Sequence, residues 1–415
     1  MTFGRRTLIA ATLGAPFVAQ AQPKARVIVV GGGFGGATAA RTLKRVAPDI
    51  DVVLIEPNPV FTACPASNAV IAGLRDHETL RFTYKTLEAE GIRLIHQRVI
   101  AIDAAHSSLT LADNTRLDFT RAILAPGIAI RWNALPGYTE AAAAVMPHAW
   151  RGGAQIMLLR ERLAAVPDGG LVVISVPATP YRCPSAPYER ASLVAHHLKL
   201  RKPRAKLIVL DSNDSFSMQR LFLAAWKSLY PNLEHLALSA SGKVTEVNAG
   251  TGEIRTDFET YTPDLANIIP PQRAADIAVQ SGVADRTGWC PITPVTFESL
   301  LCPGIHVIGD ATLLGAMPKS AFAAAAQAKA CAHAVALILN GQTPEPPHLL
   351  NTCYALIAPH LAISSAGVYR HHGTILVDTE GAGGNSALDA PRSTREAEAR
   401  HAEAWFHAVT TEAFG

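Results

Sequence analysis

The stretch 26-RVIVVGGGFGGATAARTLKRVAPDIDVVLIEPN-58 reads as strand, glycine turn, helix, strand and acid. Residues 27–30 are an unbroken run of valine and isoleucine, which suits a strand buried on both faces of a parallel sheet. Gly31, Gly33 and Gly36 fit G-x-G-x-x-G. Gly31 permits the tight turn, Gly33 lets a pyrophosphate approach the backbone, and Gly36 lets the helix pack on the strand, with phosphate at the helix N-terminus. Glu56 ends the second strand 20 residues after Gly36, placed to accept from a ribose hydroxyl. Glycines alone are a weak signal, but all these parts in register predict a dinucleotide-binding unit.

Working outward, 99-VIAIDAAHSSLTLADNTRLDFTRAILAPG-127 alternates apolar and polar positions between turn residues, as a small antiparallel meander does. The pattern returns at 243-KVTEVNAGTGEIRTDFETYTPDLANIIPP-271, an offset of 144 residues. The same offset carries Val27 to Leu171, the start of the apolar run 171-LVVISV-176, so the chain reads as one plan used twice. In the copy, Gly31, Gly33 and Gly36 correspond to Ser175, Pro177 and Pro180, while Asp211 closes 207-LIVLD-211 much as Glu56 closes the first unit. Proline offers no N–H to a phosphate and fixes its own φ, so nicotinamide binding is not expected there.

Two further segments complete the first unit, 122-AILAPG-127 and 303-PGIHVIGDA-311. The second ends in Gly309-Asp310, where a carboxylate can hold a ribityl chain, which makes the expected dinucleotide FAD. After it, 318-PKSAFAAAAQAKA-330 is expected to open a helix at Pro318, with its N-terminal dipole toward the flavin pyrimidine and Lys319 among the cofactor-binding candidates. The expected fold class is α/β. Two Rossmann-like, glutathione-reductase-type units, the second without a phosphate loop, are followed by a C-terminal α+β domain. The expected boundaries are 24–130 and 265–340 for the FAD domain, 131–264 for the second domain and 341–415 for a C-terminal interface domain.

The N-terminus, 4-GRRTLIAATLGAPFVAQAQ-22, carries paired arginines, an apolar core and a small-x-small site, and reads as an export signal over 1–21 of the twin-arginine type. The expected location is the periplasm. Outside that leader 35 basic residues face 34 acidic ones, which argues against nucleic acid as a partner. The apolar segment 321–339 is interrupted by Gln327, Lys329 and His333 and reads as a packed helix, so no stable membrane insertion is expected. Six cysteines make no C-x-x-C pair and no C-x-x-C-H, so neither a zinc site nor covalent haem is expected. Cys183 stands in the proline-stiffened turn 181-YRCPSAPYERAS-192, at the carboxyl end of a parallel strand, where such sheets place ligands.

The runs 60-VFTACPASNAVIAG-73, 181-YRCPSAPYERAS-192, 309-GDA-311 and 351-NTCYALIAP-359 resemble the flavoprotein subunit of flavocytochrome c sulfide dehydrogenase, including the related flavoprotein of thiosulfate-oxidising systems. The resemblance spans essentially the whole chain. It implies covalent FAD on Cys64, a redox disulfide between Cys183 and Cys353 above the flavin, and Glu189 as proton acceptor. It also implies oxidation of hydrosulfide to sulfur or polysulfide, with electrons passing to a c-type cytochrome in a heterodimer. Cys290, Cys302 and Cys331 match no catalytic position and are assigned to packing. Three other readings share the architecture: a sulfide:quinone oxidoreductase, a nicotinamide-dependent disulfide reductase, and a non-catalytic flavoprotein that maintains a sulfur-oxidising complex. The tail, 391-PRSTREAEARHAEAWFHAVTTEAF-414, has charges round its helical projection except near Trp405 and Phe406, and a solvated closing helix is expected.

Overall fold

The computed structural model describes residues 25–415, and the expected leader at 1–21 lies outside the described residues. Arg26–Val30 forms a strand whose last four residues are buried. It sits at the centre of a five-stranded parallel sheet in the order 305–307, 121–124, 26–30, 51–55, 93–95. Strands from opposite ends of the split unit therefore lie side by side, as expected from 122-AILAPG-127 and 303-PGIHVIGDA-311.

Between strand and helix only residues 31–33 intervene before Phe34–Val46 begins. Gly31 holds φ +97°, and a Cβ there would stand 2.4 Å from the Ala125 carbonyl oxygen. A Cβ on Gly36 would meet the Gly31 carbonyl oxygen at 1.7 Å. That approach presses the helix onto the strand and aims its first N–H groups at the turn.

The second unit repeats the plan with a parallel sheet in the order 233–236, 206–211, 171–176, 265–268. The boundary expected at 264 is corrected here. Leu265–Ile268 pairs with Leu171–Val176, so the second unit runs past 268 and the chain returns through an antiparallel pair, 128–130 with 272–274. The fixed offset also fails at the turn. Residues 177–185 separate strand from helix Ala186–Arg201, against three residues in the first unit, so Pro180 lies in a loop and not where Gly36 lies in its helix. The added residues build the turn that carries Cys183.

Ala321–Leu339 is long and apolar enough, by length and composition, to cross a membrane. Here it lies along Phe34–Val46 and buries Ala323, Ala328, Cys331, Ala332 and Val335. Its N-cap is Ser320, whose hydroxyl accepts from the Ala323 N–H, so Pro318 precedes the helix and does not open it. Proline at the first turn occurs instead in the other helix, at Pro187.

The tail is a hairpin, Leu349–Ala358 with Leu361–His372, widened by Ile375–Asp378 and Gly384–Asn385, and closed by the helix Arg392–Phe414. That helix is docked, contrary to the expected solvated one. Charge periodicity misreads it because its inward charges are paired: Arg395 and Glu398 meet at 3.0 Å, and Glu398 also accepts from Ser364 and Ser386. At its end Phe414 stacks on Phe61 and Phe82, with centroids 5.1 and 5.2 Å away. Buried Arg41 donates to the carbonyls of Thr411 and Glu412, both at 2.7 Å, closing the helix C-terminus with a cation.

Phe414→Ala removes the ring that links the chain end to the strand before Cys64. It is expected to lower unfolding free energy by about 3–5 kcal/mol, read as a reduced urea midpoint. An unchanged midpoint would show that the chain end is not tied down in this way.

Candidate active site

A cavity of about 510 Å³ opens where the two sheets and the tail hairpin meet. The glycine turn forms one wall. Glu56 reaches back into that turn, Oε2 accepting from Gly32 N–H at 2.9 Å and Oε1 from the Asn58 N–H at 3.0 Å. At the far end Gly309 N–H donates to Gln327 Oε1 at 2.7 Å. Next to it Asp310 Oδ1 is buried without a hydrogen-bond partner among the described residues. Burial pushes the Asp310 carboxyl up, opposed by the charges of Arg182 and Lys319.

Cys64, Cys183 and Cys353 all line this cavity as free, partly exposed thiols. Cys183 holds φ +57°, a conformation costly for a non-glycine residue, fixed by its N–H donating to the Lys319 carbonyl at 2.7 Å. Cys353 lies on the tail hairpin, where Asn351 Nδ2 donates to its sulfur at 3.4 Å. Asn351 Oδ1 in turn accepts from Ser320 Oγ at 2.6 Å. Burial pushes the Cys183 thiol well up, followed in size by the proximity of Cys353 and then Glu189. Cys353 is raised by burial too, with Asn351 and Ser320 pulling it back.

Glu189 stands in the same wall. Its Oε1 accepts from Leu356 N–H at 2.9 Å and its Oε2 from Asn68 Nδ2 at 2.7 Å. Desolvation raises its carboxyl above the usual range despite both bonds.

Lys319, at the start of the long buried helix, sits beside Asp310. Its side chain does not line the cavity: the ammonium donates to the carbonyls of Asp310 and Thr312 and lies 3.9 Å from the Trp289 ring centroid. Burial pulls it down to about 8. Among the three cysteines assigned to packing, Cys290 and Cys331 are buried. Cys302 rests on the Ser281 and Gly282 carbonyls, both at 3.6 Å.

Two arginines went unread in the sequence. Arg182 Nη2 donates to Cys64 Sγ at 3.3 Å and to the Trp150 carbonyl, and its Nε lies 4.0 Å from Asp310 Oδ2. Arg190 is 1% exposed and bonds Asn68, Asn267 and the carbonyls of His148 and Ala149. Burial lowers it to about 9. Both flank the cysteine in 181-YRCPSAPYER-190, and that was the available signal.

The acid of the second unit is turned inward. Asp211 is fully buried, accepting from Tyr188 Oη at 2.8 Å and Asn213 Nδ2 at 2.8 Å, with His235 Nε2 at 3.0 Å. Tyr188 stacks on Phe216 at 3.6 Å between centroids. Where the first unit has an open glycine turn, this unit has packed aromatic rings.

Residues 156–270 match the central region of the sulfide dehydrogenase (flavocytochrome c) flavoprotein chain, residues 345–414 the flavin-binding region of flavocytochrome c sulphide dehydrogenase, and residues 25–163 the pyridine nucleotide-disulphide oxidoreductases. The chain is 58% identical over 45 residues to the sulfide dehydrogenase flavoprotein chain of Chlorobaculum thiosulfatiphilum, covering 94% of that sequence and 11% of this one. The chain belongs to the flavocytochrome c sulfide dehydrogenase flavoprotein family.

The mouse mitochondrial sulfide:quinone oxidoreductase is 23% identical over 328 residues, 77% of this chain and 72% of that one. The solved sulfide:quinone oxidoreductase of Aquifex aeolicus superposes with TM-score 0.70 at 17% identity, over 94% of this chain and 92% of that one, which speaks to the fold alone.

FAD, the cofactor expected in this family, fits the residues present. The cradle at Gly31 and Gly36 tolerates no Cβ, Glu56 lines the cavity at the end of the second strand, and Asp310 Oδ1 is a buried acceptor awaiting a donor.

Glu189 lies close enough to both neighbouring thiols for its negative charge to raise them. Glu189→Gln is therefore expected to shift the pH midpoint for alkylation of Cys183 and Cys353 in the reduced protein downward, followed by mass spectrometry. An unmoved midpoint would mean that its charge does not reach the sulfurs.

Proposed function

We propose that this chain oxidises sulfide with FAD, using a disulfide between Cys183 and Cys353 as the entry point for substrate. The observation that carries the reading is that these two cysteines, distant in sequence, line one cavity with the glycine turn and Asp310. Hydrosulfide attacks one sulfur of the disulfide; the S–S bond breaks, a persulfide forms on the attacked sulfur, and the electron pair leaves on the other as a thiolate. Exchange of this kind needs an anionic attacker and access, and the cavity that both cysteines line provides access. FAD, when bound, supplies a two-electron acceptor that can release electrons singly.

The chain's own residues orient and balance these charges. Asn351 Nδ2, 3.4 Å from Cys353, is a donor for a thiolate there. Glu189, held above the ordinary carboxylate range, is suited to take the hydrosulfide proton. Gly31, Gly33, Gly36 and Glu56 hold the dinucleotide, and Asp310 its ribityl chain. Cys64 forms the covalent link to FAD, and Arg182 Nη2 holds that sulfur in place from 3.3 Å.

The electron acceptor is a c-type cytochrome subunit forming a heterodimer with this chain. The family's name, a flavocytochrome, supports this. Export of the chain to the periplasm, read from residues 1–21, would bring it to such a partner.

Anaerobic sulfide titration tests the reading through the visible flavin spectrum. The unaltered protein is expected to bleach, and Cys183→Ser and Cys353→Ser to keep FAD yet remain oxidised at stoichiometric sulfide. Bleaching of either variant at the unaltered rate refutes the disulfide route. Cys64→Ala is expected to release its FAD on acid denaturation, whereas the unaltered chain retains it in the protein mass. Reduction of horse-heart cytochrome c against a ubiquinone analogue by the same preparation decides between the cytochrome and quinone acceptors.

A further inference from the structure

A second cavity, of about 610 Å³, lies behind Glu189, between the tail hairpin and the C-terminal helix. It shares Ala66, Glu189, Tyr354 and Trp405 with the first. The Glu189 carboxyl stands in the partition, and each of its oxygens is held from a different side. Leu356, which holds Oε1, lines the second cavity, while Asn68, which holds Oε2, lines the first.

The walls of the second cavity are mostly apolar, formed by Ala69, Leu356, Pro359, Ala399, Ala402 and Phe406. Its rim is charged. Arg75 is matched by Glu403 at 3.0 and 2.5 Å, and Arg392 by Glu396 at 2.9 Å. Arg400 lies one helical turn beyond Glu396 on the same face, exposed, with no ion-pair or hydrogen-bond partner for its guanidinium among the described residues. The rim thus carries one cation in surplus, and His360 stands beside it.

Hydrosulfide is roughly the size of a water molecule, whose share of liquid volume is about 30 Å³, so the space is far larger than the substrate requires. An apolar, polarizable wall with a single free cation at its mouth suits a chain of sulfur atoms that carries its charge at its ends. A compact oxyanion would need hydrogen-bond donors around each oxygen; alanine, leucine and proline side chains offer none, and the Trp405 indole N–H, buried without a partner among the described residues, and the Tyr354 hydroxyl are too few to surround one.

We propose that the second cavity is a binding site for polysulfide anions, reached from Cys183 and Cys353 past Glu189 and anchored at its mouth by Arg400. The inference rests on the sulfide-oxidising reading and adds where its sulfane product resides.

The test uses the FAD-loaded Cys183→Ser/Cys353→Ser protein, which cannot turn over, with sodium tetrasulfide in anaerobic equilibrium dialysis. Saturable binding at one site is expected. Arg400→Glu should weaken it by about tenfold or more and Arg400→Lys by no more than about threefold, while Ala402→Trp, which fills the space, should remove it. Absence of binding, or binding that Arg400→Glu and Ala402→Trp leave unchanged, overturns the proposal. Failure of the sulfide reading shows elsewhere, as a flavin in the unaltered protein that sulfide leaves oxidised, and is thereby separable from this result.

Discussion

Two adjacent residues, Lys319 and Ser320, hold both candidate redox cysteines. The Lys319 carbonyl accepts from the Cys183 N–H at 2.7 Å, and Ser320 Oγ bonds Asn351, whose amide reaches Cys353 Sγ at 3.4 Å. Ser320 is also the N-cap of the long buried helix, so the same hydroxyl that starts the helix registers the tail hairpin against it. Cys183 belongs to the second unit and Cys353 to the tail, and neither is local to the other in the chain. Their common cavity follows from both being referred to a rigid point in the first unit. The strained φ of Cys183 fits this account, since an unfavourable backbone conformation persists only where the surroundings over-determine it.

The first unit was legible because its constraints are local. Gly31 and Gly36 sit where a Cβ would strike backbone within a few residues or on the neighbouring strand, and Glu56 closes a strand whose register the valine run already sets. The second unit was legible as strands and not as a turn, because inserting residues between strand and helix leaves the sheet pattern intact while displacing everything read by a fixed offset. The neighbours of Lys319 were not legible either: the Asp310 and Thr312 carbonyls and the Trp289 ring that engage its ammonium come from separate segments. Arg182 and Arg190 were missed because what makes them unusual is their burial among partners from distant segments, which no spacing encodes. The docked tail helix was missed likewise, since a buried Arg395–Glu398 pair is indistinguishable in sequence from a solvated one.

The second unit fills the place of a nucleotide cleft with its own side chains. An empty nucleotide cleft would leave an unpartnered carboxylate and a void, and both destabilise. Here Asp211 is drawn inside to bond Tyr188, Asn213 and His235, and the Tyr188–Phe216 stack packs beside it. The helix that would have faced a pyrophosphate instead presents Glu189 and Arg190 from its first turn, so the same end of the same helix serves the cavity on its other side.

That cavity is selective about charge. Burial raises both thiols and Glu189, and it lowers Arg190, so the charged form of each of these four groups is held against a desolvation cost. A pair of thiolates is the least tolerated state of Cys183 and Cys353, because each would face the other as well as Glu189. A disulfide carries no charge and escapes all of those penalties. The same electrostatics make these cysteines poor nucleophiles and leave the nucleophile's part to an anion arriving from outside. Hydrosulfide is already ionised in water, and the arginines beside the cavity, Arg182 and Arg190, offset the cost of bringing its charge in.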